Sequence, residues 1–500
     1  MPLQFPLAIE LAAAQSKQFS PQALAAQLVS KNSPSRPNAT GLSLLRHSWR
    51  NLPPRHQTLI SAIDWSYRLL TPDEQNLFMQ LGVFRGGFTP AAVEAVCGLF
   101  SRELTSLLDK SLIQYDEHEG EVRFSMLETL REYALAQLAA CGKLKATRQR
   151  HAEFFIALAE QSEPQLMTAE QKLWFKRLER EQGNFNAILS WTCETSDRPR
   201  GEPSPHELGL RLSVALWRFW RYRCYLSEGY FWTQRALLAD QNSPQPAPRL
   251  LRARALWGLG LISALMRKES EATAQLEESL SLAQAEEDPH WIAAALTGLG
   301  MLANNRGDSE QAIVFQEQAL ALYQSQNDSY GMTYAHNALG ETLCCRGDYE
   351  AGRKQYQASL SISRRLGHRR GVAVALANMA QVEIAHGNYK AAHDGFVESL
   401  QLFQEIGDQV NVATCLMGLG CAATAANSPP GWTQAAQLFG FGYSLLGEMG
   451  GKLQPADQVQ IERHITMCRE RLGDAAFEAA WAEGRAFSPE KAVACVLTKC

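Results

Sequence analysis

Four dipeptides in this sequence carry the letters of phosphate or metal chemistry, and none carries the neighbours that chemistry needs. Gly142-Lys143 and Gly451-Lys452 offer the glycine–lysine step of a phosphate loop. Such a loop cradles phosphates on backbone amides, reaches them with the lysine and holds magnesium with the next hydroxyl. Both steps lack the earlier glycine of the GxxxxGK[ST] spacing, and a leucine follows each lysine. His118-Glu119 and His206-Glu207 open like a zinc-binding HExxH helix, but Val122 and Leu210 stand where the second histidine belongs. There is no GxSxG nucleophile elbow and no Cys/His cluster at zinc spacing. The eleven cysteines form no CxxC pair, and Cys344-Cys345 are adjacent, which points to free thiols in a reducing compartment. Acidic pairs are frequent, but ordinary i,i+4 charge pairing on solvated helix faces accounts for them. The expectation is a chain without a catalytic residue, a metal or a cofactor of its own.

What remains is chemistry of recognition. Arg218, Arg221 and Arg223 make the only local basic cluster, set among Trp217, Trp220, Tyr222 and Trp232. These rings and guanidiniums could receive an acidic ligand. The plainer expectation is that the aromatics pack a core and the arginines are solvated. A second set, Trp257, Met301, Asn304, Asn337, Glu341, Gln381 and Thr414, mixes amides, one carboxylate and apolar surface at helical spacing. A third candidate is a nucleic-acid surface in residues 41–140. There, nine Lys/Arg face twelve Asp/Glu, the wrong balance for neutralising phosphates. The helix that would enter the major groove, Pro90–Leu99 (PAAVEAVCGL), has no Arg, Lys, Asn or Gln to pair with base edges. DNA binding is therefore disfavoured.

The elements that position these residues follow a ruler. Leu259-Gly260, Leu299-Gly300, Leu339-Gly340, Met379-Ala380 and Leu419-Gly420 recur at one constant step in the numbering. The turns Gly307-Asp308, Gly347-Asp348 and Gly387-Asn388 keep the same beat, as do a second loop at Asp288, Asp328, His368 and Asp408 and the leucines 280, 320, 360 and 400. A fixed period of this size marks a stacked array, and the apolar spacing within it is helical. Small residues recur where two helices must approach: Gly300, Ala312 and Ala319, then Gly340, Gly352 and Ser359, then Ala380, Ala392 and Ser399. Gly-Asp or Gly-Asn between the helices supplies a C-cap followed by an N-cap. The pattern resembles the tetratricopeptide repeat, with about six residues more than its usual ~34. Trp217, Gly229 and Ala236 reproduce the 12-and-7 spacing in a degenerate earlier repeat. The first helix of each pair lines the concave side, which puts the second candidate set in a groove suited to a peptide or partner helix.

The rest of the chain divides around this array. Residues 1–40 read as a helical remnant, with helices at Leu7–Ala14 and Pro21–Val29 before a proline-punctuated linker. Residues 41–140 read as a winged helix: amphipathic Gln57–Leu70, a helix from Thr71-Pro72 to about Phe84, another over Pro90–Leu99, one over Ser101–Lys110, and a hairpin of Ser111–Tyr115 with Val122–Met126 leading into a helix over Leu127–Ala140. A helical spacer follows over 141–204, then the repeats over 205–447 and capping helices over 448–500. The fold class is all-α with one small β-hairpin. With 46% hydrophobic and 20% charged residues, a net charge of −4 and a pI near 6.3, the composition is that of an ordinary globular protein. No apolar run approaches the ~20 residues of a membrane span, and the start lacks a basic n-region, so the expected location is cytoplasmic.

Longer stretches carry a family likeness. Arg55–Cys97 (RHQTLISAIDWSYRLLTPDEQNLFMQLGVFRGGFTPAAVEAVC) resembles the winged-helix segment of bacterial STAND-class signalling ATPases. These are relatives of NB-ARC proteins and include LuxR-type and antibiotic-regulatory transcriptional regulators. Arg123–Ala139, Arg177–Trp191 (RLEREQGNFNAILSW) and Ala476–Ala494 are similar to that family's hairpin junction, repeat entry and closing segment. The resemblance implies a switch whose nucleotide-binding domain lies upstream. Phe5-Pro6-Leu7-Ala8 looks like its GLPLA motif, with Gln4 in the glycine's place, so Pro6 would pack on adenine only alongside such a domain. Met126-Leu127-Glu128 matches its MHD motif, with Leu127 replacing the ADP-contacting histidine. In this reading no helix-turn-helix follows Cys500. The expectation is the regulatory and sensor half of a signalling or transcriptional switch, taking ATP or ADP only with a partner domain and binding a protein, peptide or small effector in its groove. A free-standing repeat adaptor and a winged-helix DNA regulator are the alternatives.

Overall fold

The computed structural model describes residues 59–98, 101–118, 120–168, 170–194, 204–244, 246–448, 453 and 455–497. The two helices expected within residues 1–40, Pro6 and the linker lie outside them. The chain forms two compact units, Met1–Phe155 with Arg180–Ser190, and Ile156–Glu179 with Trp191–Cys500. The segment 141–204, expected as a separate spacer, is thus shared between them.

The first unit holds α1 (Leu59–Arg68), α2 (Pro72–Leu81), α3 (Pro90–Cys97), α4 (Ser101–Asp109), the hairpin β1 (Gln114–His118) and β2 (Glu121–Ser125), α5 (Glu128–Ala140) and parts of α6 (Leu144–Gln165) and α7 (Gln171–Glu194). Thr71 and Glu74 form a reciprocal capping box at the start of α2. Glu74 is buried, and hydrogen bonds from Lys110 (2.6 Å) and Ser106 (2.5 Å) hold its carboxyl down to about 2. Helix α2 ends at Leu81, short of Phe84, and its C-cap Gly82 lies so close to α5 that a Cβ there would sit 3.0 Å from that of Ala134. The strands also differ from expectation. The first strand starts at Gln114 and runs on to His118, past the expected end at Tyr115, so that Asp116 pairs across to Arg123 and Glu117 to Val122; opposite charges directly across a ladder favour that register.

The RLEREQGNF stretch contributes a polar clamp within this unit. Glu181 takes both terminal nitrogens of Arg123 from β2, at 2.5 and 2.9 Å. The Asn184 side-chain oxygen accepts the Arg85 amide at 2.8 Å, and its nitrogen donates to the Gly87 carbonyl at 3.0 Å. Between them Gly183 lies against the backbone, where a Cβ would meet the Arg85 carbonyl oxygen at 2.4 Å. That contact admits only glycine.

The second unit is a stack of helix pairs: α8 (Pro205–Tyr222) with α9 (Leu226–Gln241), α10 (Arg249–Leu265) with α11 (Glu269–Ala285), α12 (Pro289–Asn305) with α13 (Ser309–Ser325), α14 (Ser329–Cys345) with α15 (Tyr349–Leu366), α16 (Arg369–Ala385) with α17 (Tyr389–Ile406), and α18 (Gln409–Ala423) with α19 (Pro429–Glu448). Helices α20 (Pro455–Leu472), α21 (Asp474–Arg485) and α22 (Pro489–Leu497) follow. The starts of α10, α12, α14, α16 and α18, at Arg249, Pro289, Ser329, Arg369 and Gln409, keep the step of the sequence repeat without slippage.

Packing explains the small residues. A Cβ on Gly260, Gly300 or Gly340 would lie 2.7, 2.8 or 2.6 Å from the side chain facing it on the second helix of its pair, Leu276, Gln316 or Tyr356. Ser279, Ser359 and Ser399 donate to the carbonyls of Ala253, Thr333 and Ala373, on the first helix of each pair, at 2.8, 3.1 and 2.8 Å. Gly307, Gly347 and Gly387 take positive φ of 81, 91 and 75°, and Asp308 and Asp348 cap the following helices. Asn388 does not: its side chain turns back to Glu383 at 2.8 Å. In the degenerate pair Gly229 faces Trp220, 2.9 Å from a virtual Cβ.

Candidate functional site

The concave side of the second unit closes into one cavity of about 590 Å³. Trp257, Met301, Asn304, Asn337, Glu341, Gln381 and Thr414 all lie on its wall, as expected of first helices in a superhelical stack. Two closures, neither visible in the periodicity, make a trough into a chamber. On one side the Arg370 guanidinium at the start of α16 lies 4.5 Å from the Tyr222 ring centre at the end of α8, bringing together helices from the first and fifth pairs. On the other side α20 folds back, so that Gln381 donates to Asp457 at 2.7 Å and Gln460 to the Gln381 carbonyl at 3.4 Å. Thus α20 contributes a wall to the cavity as well as following the array, while α21 packs on α19 at its end.

The cavity has two unlike ends. At one end, where α8 finishes and α14 and α16 begin, sit Arg218, Arg221, Arg370 and His368. Arg218 and Arg254 share the carboxylate of Glu163 at 3.9 and 3.7 Å, and Arg370 uses Asp408 at 3.1 Å. Arg221 has no carboxylate partner among the described residues; burial pushes its pKa down and Arg370 and Arg218 add to that. Asp328 at this end is engaged by His290 at 2.9 Å and caps α14. Burial resists ionisation of Tyr222, yet the charges of Arg370, Arg221 and Arg218 hold its hydroxyl below the ordinary value. His368 is 2% exposed with neither ring nitrogen hydrogen-bonded; burial, then Arg370 and Arg218, push it down to about 4, so it is neutral.

Further along the same helices the wall turns to acceptors. Burial pushes the Glu341 carboxyl up to about 7, with Asp457 adding to the effect, and pushes Asp457 up to about 6 against the hydrogen bond from Gln381. The side-chain oxygens of Asn304, Gln316, Asn337 and Gln381 are buried without a hydrogen-bond partner. Unpaired buried polar atoms are costly, so their convergence on a cavity fits a site preorganised for a polar guest. Between the ends Trp217, Trp257 and Trp291 stack edge to face, with ring centres 4.6 and 5.4 Å apart.

Two expectations are corrected here, and a third feature was not foreseen. Arg218 and Arg221 are cavity-wall groups, not solvated side chains; Arg218 lies over Trp217 at 4.5 Å. Trp217 lines the cavity, while Trp220 is core and Arg223 pairs with Glu179 at 2.7 Å. The carboxylates of Glu341 and Asp457 are desolvated. The available signal was His368, which breaks the Asp288, Asp328, Asp408 series and makes no capping bond. In the first unit Leu127 is the N-cap residue of α5 and provides no side-chain hydrogen bond.

Residues 251–325 and 332–405 match the tetratricopeptide repeat family. Over these residues the array is built of tetratricopeptide repeats. A protein of Mycobacterium tuberculosis provisionally named an HTH-type transcriptional regulator is 33% identical over 296 residues, covering 57% of this chain and 31% of that protein. An uncharacterized M. tuberculosis protein is 30% identical over 158 residues, covering 29% of this chain and 37% of its own length. The chain spans about a third of the length of the curated relatives it matches. Among solved structures, a STAND protein with a tetratricopeptide repeat sensor from Pyrococcus horikoshii aligns with a TM-score of 0.44 at 14% identity, over 96% of this chain and 75% of that one. A Rap protein complexed with competence and sporulation factor aligns with a TM-score of 0.45 at 11% identity, over 69% and 99%. Among the described residues no helix is long and apolar enough to cross a membrane.

Proposed function

We propose that this chain is the non-catalytic regulatory and sensor portion of a STAND-type signalling or transcriptional regulator, and that its repeat cavity binds the effector. One observation carries the reading: a 590 Å³ chamber lined by desolvated charges and unpartnered amide oxygens. Protein pockets for small ligands span roughly 300–1,000 Å³ and place a few polar groups among apolar walls. The regulator name of the mycobacterial relative supports the output side. In this reading the helices and hairpin of residues 59–140 act as a winged helix that locks a nucleotide-bound partner domain, and occupancy of the cavity releases the lock. The chain itself supplies neither phosphate loop nor MHD histidine, so ATP and ADP are cofactors of the partner domain. Isothermal titration of the chain with ATP and ADP tests that division, and micromolar affinity for either would refute it. Effector binding is tested by the melting temperature in a deproteinised extract of the source cells. A rise abolished by Trp257→Ala supports the reading, and no shift at saturating extract rejects it.

A further inference from the structure

We propose that the effector is a short linear peptide with free termini, about three to five residues long, lying along the first helices with its carboxylate on Arg221 and its ammonium between Glu341 and Asp457. This rests on the sensor reading above and specifies its ligand.

Charge placement carries the inference. Arg221 lines the cavity without a carboxylate of its own among the described residues. Beside it, Arg218 and Arg254 divide the one carboxylate of Glu163, and Arg370 takes Asp408; with Asp328 already engaged by His290, no carboxylate at this end is left for Arg221. His368, 2% exposed with both ring nitrogens unpartnered, opens on the same end. Helices α14 and α16 also begin here, and their dipoles favour an anion. A planar guanidinium suits a carboxylate, which it can hold through two parallel hydrogen bonds.

The opposite end has the complementary lack. Glu341 accepts no hydrogen bond from any described residue, and Asp457 accepts one, from Gln381. Asn304 and Gln316 are 7% and 1% exposed, and each presents an unpartnered oxygen. Acceptors with too few donors are what an ammonium, with three N–H bonds and no acceptor, satisfies.

Spacing sets the length. Tyr334, a wall residue beside Tyr222, Arg218 and Arg370, and Glu341 are seven residues apart on α14, and Arg370 and Gln381 eleven apart on α16. At about 1.5 Å of rise per residue these steps are roughly 10 and 16 Å. An extended chain advances about 3.3 Å per residue, so three to five residues join the poles. Between them the faces of Trp257 and Trp291 offer apolar surface to the middle side chains.

The test uses the full chain and a mixed-sequence set of free tri- to hexapeptides, each also made N-acetylated and C-amidated, with binding read by competition and melting temperature. Expected is stabilisation by free peptides of three to five residues, with either cap weakening binding at least tenfold. In Glu341→Gln acetylation should no longer matter. In Arg221→Gln amidation should no longer matter, while Arg221→Lys retains sensitivity to it. Caps without effect, or a preference for the longest peptides, would overturn the proposal. A cell extract that raises the melting temperature when no peptide does would overturn the peptide and leave the sensor reading standing. Failure of both extract and peptides would remove both.

Discussion

Replacing Glu341 by glutamine should make the empty protein more stable, and more so as the pH rises. The carboxyl is pushed from 4.5 up to about 7 by burial, with Asp457 facing it and Cys345 and Tyr356 close by. A folded-state value above the unfolded one means that the folded protein holds a proton the unfolded chain releases, so stability falls as pH climbs between the two values and stays low above them. At about 1.4 kcal/mol per unit, keeping this charge costs about 3 kcal/mol at pH 8 and about 1 kcal/mol at pH 5. Glutamine has nearly the same shape and no charge. Urea unfolding of the wild type and Glu341→Gln at pH 5 and pH 8, followed by tryptophan fluorescence, should give the variant a higher midpoint at both, with a larger gain at pH 8. Equal gains at the two pH values would show that Glu341 is not desolvated as described. A loss at pH 8 would show that its charge is already neutralised within the fold. A residue that weakens its own protein until a guest arrives is the stability–function compromise expected of a binding site.

Three further perturbations test packing, the first in the first unit and the others in the repeat array. Gly183→Ala pushes a methyl into the Arg85 carbonyl and should cost about 1–3 kcal/mol as overpacking does; an unchanged melting temperature would contradict it. Ser399→Ala removes a buried hydrogen bond to the Ala373 carbonyl and should cost about 1–2 kcal/mol, whereas exposed Ser325→Ala should leave the urea midpoint unchanged. Arg370→Met breaks the contact between α8 and α16 and leaves Asp408 without its ion-pair partner, so hydrogen exchange should rise in both helices. Exchange unchanged in α8 would show that the closure is not needed to hold it.

The ladder was legible in the sequence because each repeat solves the same local problem. Gly260, Gly300 and Gly340 each make room for the side chain facing them on the paired helix, so a chemical need became a visible period. The groove set followed from helical spacing alone. The chamber was not legible, because its closures join positions with no common beat: Tyr222 with Arg370, and Gln381 with Asp457. The arginines of α8 were misread for a related reason. Their surroundings come from α16, four helix pairs further along the chain, and nothing local reveals that enclosure. In the first unit the clamp of Glu181 and Asn184 on Arg123 and Arg85 spans 58 and 99 positions, which is why the spacer could not be divided from sequence.

The meeting of α8 with α16 also constrains how such a protein can change. Most solenoids are modular ladders, in which a rung can be inserted or deleted at little cost because each touches only its neighbours. A ladder whose first and fifth rungs clasp has lost that freedom: one rung more or fewer would carry Arg370 past Tyr222 and undo the clasp. New specificities would then arise by exchanging side chains inside a fixed number of turns, and unfolding begun in either clasped pair would loosen the other.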